Sequence, residues 1–101
     1  MNFYTEISPC QIAAEKKYFT SAIFKLLPYK EDGYENLDNY FESVLQQLIG
    51  FNKISGGQSE LLTIMSLLEY ARGENDYDKY RKAILDACGL VEFIRESDPN
   101  A

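Results

Sequence analysis

The sequence predicts an all-α protein: an irregular four- or five-helix bundle folded as a single domain over residues 1–101, with a frayed, disordered tail at 97–101. Three observations predict it. Apolar residues recur at spacings of three and four, most cleanly in Tyr77, Tyr80, Ile84, Ala87, Val91 and Ile94. No stretch alternates apolar and polar residues over strand length between turn residues, and Met1–Thr5, which could be extended, is too short to found a sheet. Three loops marked by proline or glycine divide the periodic runs. At 101 residues and 46% apolar composition the chain can bury a core without covalent staples.

The first helix has the best-marked start. Ser8 is a good N-cap, Pro9 suits the first helical position, Gln11 completes an S-x-x-Q capping box, and Ile7 and Ile12 are spaced as a hydrophobic staple. Ile12, Phe19, Ile23 and Leu26 or Leu27 form its apolar face, and Pro28 is expected to stop it. After the turn pair Asp32-Gly33, Asn36 caps a second helix carrying Leu37, Phe41, Val44, Leu45, Leu48 and Ile49. Gly50 is expected to end it in the left-handed conformation, with Phe51 folding back onto Leu45. The third helix runs from about Ser59 to Arg72, ended by Gly73. Its apolar residues cover more than half its circumference, which predicts a central helix with neighbours on several sides. The fourth starts near Asp76, and Gly89 is expected to break it ahead of a short fifth helix.

Catalytic and metal chemistry find little to work with. The chain has no histidine, which removes the commonest general base, the serine and cysteine triads, most zinc sites and the His ligands of di-iron bundles. Cys10, at the second position of the first helix, is the one candidate nucleophile, but no base or second thiol accompanies it. Cys88 reads as a small core residue. Ser55-Gly56-Gly57-Gln58-Ser59 leads into a helix like a phosphate loop but lacks the lysine a Walker loop places after its glycines, so it reads as a loop with a helix cap. Glu74, Asp76 and Asp78 imitate the start of an EF-hand loop, which then fails where Lys79 and Leu85 replace the required glycine and glutamate. No enzyme activity, cofactor or metal is expected.

Charge and tyrosine are the positive signals. The net charge is −6, and Glu31, Asp32, Glu35, Asp38 and Glu42 follow one another without an intervening base. Such a chain is repelled by phosphate backbones, so no direct nucleic-acid binding is expected. Eight tyrosines occur without tryptophan, and Tyr29, Tyr34 and Tyr40 fall within the acidic stretch. A phenol ring beside carboxylates suits Lys or Arg, through stacking and charge-assisted hydrogen bonds. The competing reading, rings that cap the core with their hydroxyls in water, is expected of half the tyrosines, and plain solubility competes as the role of the acids.

The expected partner is therefore a basic protein, either a toxin or a nucleic-acid-processing enzyme. Its expected contacts are Tyr29, Glu31, Asp32, Tyr34, Glu35, Asp38, Tyr40 and Glu42. The function expected is that of a small acidic inhibitor or immunity protein that neutralises a basic toxin domain, such as a nuclease, by masking its active or binding surface. The alternatives are a structural or adaptor subunit of a phage or bacterial assembly, and a phage anti-defence inhibitor that mimics nucleic acid. Met1–Lys17 shows no basic start followed by an apolar run, and no apolar stretch reaches the roughly 20 residues of a membrane span. A cytoplasmic monomer is the default expectation.

Overall fold

The computed structural model describes residues 9–54 and 57–94, and of Pro9 and Cys10 the backbone alone. The capping box and staple around Ser8, the Met1–Thr5 segment, Ser55-Gly56 and the 97–101 tail lie outside the described residues. Among those described, five helices follow one another: α1 (Pro9–Phe24), α2 (Leu26–Glu31), α3 (Leu37–Ile54), α4 (Ser59–Arg72) and α5 (Tyr77–Val91). No described residue lies in a strand.

The break between α1 and α2 corrects the reading of Pro28, which lies inside the first turn of α2 rather than at a helix stop. A proline has no amide for the carbonyl four residues back, and its ring crowds that carbonyl. The carbonyl belongs to Phe24, where α1 ends. The interruption therefore falls at Lys25, upstream of its cause. The ladder resumes when the Tyr29 amide donates to the Lys25 carbonyl at 3.1 Å.

Asn36 precedes α3 as expected, its carbonyl accepting the Tyr40 amide at 2.9 Å. Gly50 does not end this helix. Among the described glycines only Gly33 (φ 68°) and Gly57 (φ 83°) are left-handed, and α3 continues to Ile54. The reason is the apolar stripe: continuing the helix past Gly50 adds Phe51 to Phe41, Val44, Leu45 and Leu48, all buried. There the Phe51 ring meets Phe19 of α1, with centroids 5.7 Å apart.

Helix α4 has the bounds the sequence predicts, with Gly73 after its last turn. Ser59 is its first residue, and Gln58 before it makes no side-chain cap. It is not the central helix. It packs on α3 and α5 only, whereas α5 touches α1, α2 and α4. Leu61, Ile64, Leu68 and Ala71 form one buried stripe, and Leu62 outside that stripe is 55% exposed. Breadth of apolar coverage here means surface apolar residues rather than extra neighbours.

Helix α5 starts on Asp76, whose carboxylate accepts the Asp78 amide at 2.9 Å and the Lys79 amide at 3.5 Å. Gly89 does not break it. Ala87 and Val91 on either side are buried, and only an unbroken helix keeps both facing the core. The cost of a helical glycine, roughly 1 kcal/mol, is smaller than the roughly 1.5–3 kcal/mol gained by burying a valine-sized side chain. The buried side chains of all five helices form one cluster. No described helix is long and apolar enough to cross a membrane.

Candidate protein-binding surface

The acidic, tyrosine-bearing stretch runs from α2 through the turn at Gly33 into α3. The turn is closed by backbone bonds, Gly33 to the Lys30 carbonyl at 3.2 Å and Tyr34 to the Tyr29 carbonyl at 2.9 Å. The left-handed Gly33 permits this reversal, and the Tyr34–Tyr29 bond brings the two side chains together. Their ring centroids lie 4.7 Å apart at 34°. The ring of Tyr40, from the first turn of α3, stands T-shaped to Tyr29 with centroids 5.0 Å apart at 86°. The three rings that the sequence places in one acidic run thus form one cluster.

Their environments differ. Tyr34 is 44% exposed, Tyr29 is half-buried, and Tyr40 is half-buried with its hydroxyl donating to the Ala22 carbonyl of α1 at 2.8 Å. Burial, reinforced by the neighbouring phenols, pushes the Tyr40 hydroxyl up to about 12. The other tyrosines divide in the same way. Tyr18 and Tyr70 are exposed, whereas Tyr80 is wholly buried, with its hydroxyl donating to the Leu26 carbonyl at 2.7 Å.

The carboxylates also divide. Asp38 and Glu42, one turn apart on α3, both face Arg72 from the end of α4. Arg72 Nε and Nη2 hold the two oxygens of Asp38 at 2.6 and 2.9 Å, and Nη1 holds Glu42 at 2.8 Å. Glu69 stands 3.8 Å from the same guanidinium. The hydrogen bonds from Arg72 hold both the Asp38 and Glu42 carboxyls below the usual carboxylate range. Among the described residues, by contrast, no ion pair engages Glu31, Asp32 or Glu35, all exposed. Glu31 has a phenol beside it: Tyr77 of α5 is shifted up by burial first and by a hydrogen bond to Glu31 second. The sequence did not point to Arg72, which arrives from 30 and 34 residues further along the chain.

Other candidate chemistry is accounted for by structure. Asp76 is a helix cap and Glu74 accepts the Asp76 amide at 3.0 Å. Among the described residues no three His, Cys, Asp or Glu side chains converge as metal ligands would. Cys88 is half-buried, and burial pushes its thiol up to about 11, away from the reactive thiolate. A shallow groove of about 580 Å³ runs between α1 and α3, lined by Ala14, Tyr18, Phe19, Gly50, Phe51 and Ile54 among others.

What fold and surface define is a helical bundle with a compact tyrosine cluster beside exposed carboxylates that make no ion pair among the described residues. Comparison with protein-family models, curated proteins and solved structures finds no match to this chain.

Proposed function

We propose that this protein is a small acidic inhibitor, an immunity-type protein that binds a basic toxin or nuclease domain and masks its active or binding surface. The observation that carries the reading is the Tyr29–Tyr34 ring pair, with Tyr34 open to solvent and Glu31, Asp32 and Glu35, next to these tyrosines in the chain, exposed and free of ion pairs among the described residues. A nuclease presents cationic side chains where it holds phosphate. Carboxylates that no described cation pairs steer such a surface in, and a preordered ring pair gives its Arg or Lys side chains a face to stack on. Asp38 and Glu42 contribute less to this attraction than their place in the acidic run suggests, because the Arg72 guanidinium already offsets part of their charge and holds their oxygens. The same carboxylates would serve a nucleic-acid-mimicking anti-defence inhibitor, whose mark is competition with DNA for the enzyme it blocks.

The test is association kinetics with a purified basic nuclease domain, beginning with one encoded beside this gene. The expected rate falls by about tenfold or more as salt rises and again when Glu31, Asp32 and Glu35 are reversed to lysine. A flat salt dependence, or full affinity after charge reversal, removes the proposal.

A second reading, an adaptor or structural subunit, is favoured by the groove between α1 and α3 and the exposed Tyr18 and Ile54 on its rim. Light scattering separates the two, since the adaptor reading expects assemblies larger than a monomer at working concentration.

A further inference from the structure

The break between α1 and α2 is gripped from both sides. Ala22 lies before it and Leu26 just after it. The Tyr40 hydroxyl, from α3, donates to the Ala22 carbonyl at 2.8 Å, and the Tyr80 hydroxyl, from α5, donates to the Leu26 carbonyl at 2.7 Å. In an uninterrupted helix the Ala22 carbonyl would take the Leu26 amide. The same two side chains also touch α2 through their rings. The Tyr40 ring stands T-shaped to Tyr29 with centroids 5.0 Å apart, and Lys30 Nζ stands 5.3 Å from the centroid of the Tyr80 ring. A helix of six residues has too few internal bonds to hold its own direction, so its orientation must come from such tertiary contacts.

We infer that Tyr40 and Tyr80 are positioning residues for the proposed surface: their hydroxyls fix the angle of α2 across the Pro28 break, and so present the Tyr29–Tyr34 pair and the carboxylates after it as one preordered face. This rests on the binding role proposed for that face. On this account Tyr40 acts from beneath the surface, while Tyr34 meets the partner. A loosened α2 costs binding because the surface must then be ordered at the moment of association.

The experiment is hydrogen exchange by NMR on Tyr40→Phe and Tyr80→Phe, which remove one oxygen each and keep the rings. The reporters are the amides of Tyr29, Asp32 and Tyr34, which donate to the Lys25, Pro28 and Tyr29 carbonyls. They are expected to exchange about tenfold faster in each variant, while the amides of α4 keep their protection. Equal acceleration in every helix, or none in α2, overturns the inference. The half-buried Tyr40 serves if Tyr80→Phe fails to fold. A short arginine peptide titrated into each protein supplies the second readout. Weakened peptide shifts at Tyr29 and Tyr34 in the variants support the positioning role, and undiminished shifts alongside faster exchange overturn it. Absence of those shifts in the unaltered protein is instead a failure of the binding-surface reading, which the exchange data are independent of.

Discussion

Asp32 and Glu35 on the turn, and Asp38 and Glu42 on α3, belong to one acidic run, yet they meet opposite fates. Asp38 and Glu42 sit one turn apart on the face of α3 that looks at α4, where a single guanidinium takes three of their oxygens. Asp32 and Glu35 lie on an exposed reversal of the chain, and among the described residues no cation pairs with them. Neighbouring charges in a sequence thus divide into a seam that joins two helices and a rim available to another molecule. Acidic composition alone cannot tell a stabilising carboxylate from a recognising one; the helix face it stands on decides.

Four perturbations break or sharpen this contrast. The largest effect lies in the apolar layer of α4: Leu68, one turn before Arg72, is fully buried, and Leu68→Ala is expected to cost about 2–5 kcal/mol in a denaturant melt. A loss below about 0.5 kcal/mol would contradict its place in the core. Next comes Arg72→Ala, which leaves Asp38, Glu42 and Glu69 facing one another without a cation. It is expected to lower the thermal midpoint while leaving association with a basic partner unchanged or faster, and slower association would place Arg72 in the interface.

The third is pH. Arg72 lowers the folded-state pKa of Asp38 and Glu42 below their unfolded values. Their contribution to stability is therefore present above the ordinary carboxylate range and is lost as pH falls through the lowered values. Acid melts should show a steeper loss of midpoint in the unaltered protein than in Arg72→Ala; parallel curves would mean the seam adds nothing. The smallest effect on folding is expected for the rim. Glu31→Gln, Asp32→Asn and Glu35→Gln together should leave the melting midpoint unchanged, and a clear drop would show that these carboxylates serve the fold.

Much of the helical organisation was legible locally. The bounds of α4, the Asp76 cap and the buried stripe of α5 follow from periodicity and cap chemistry that act within a turn or two of chain. The misread helix bounds all concern glycine or proline inside a helix, whereas the expected centrality of α4 failed because part of its apolar breadth is surface. Gly50 and Gly89 continue their helices because Phe51 and Val91 are needed in the core, a tertiary gain no local rule registers. Gly89→Ala tests this directly. An added Cβ meets open space, so a gain of about 0.5–1 kcal/mol is expected, whereas destabilisation would mean the helix bends there. The tyrosine cluster was legible as a grouping, since the turn at Gly33 is short. What the sequence could not give was the partition within it: the Tyr40 hydroxyl is committed to a carbonyl 18 residues earlier, and Arg72 reaches back from another helix.

The central claim is that Tyr29, Tyr34 and the carboxylates around them receive a cationic partner while Asp38 and Glu42 do not. Its most direct measurement is an NMR titration with a short arginine peptide, read residue by residue. The account predicts saturable shifts centred on Tyr29, Asp32, Tyr34 and Glu35 that vanish when Glu31, Asp32 and Glu35 are reversed to lysine. Shifts spread evenly over every acidic residue, or centred on the Arg72 seam, would contradict it.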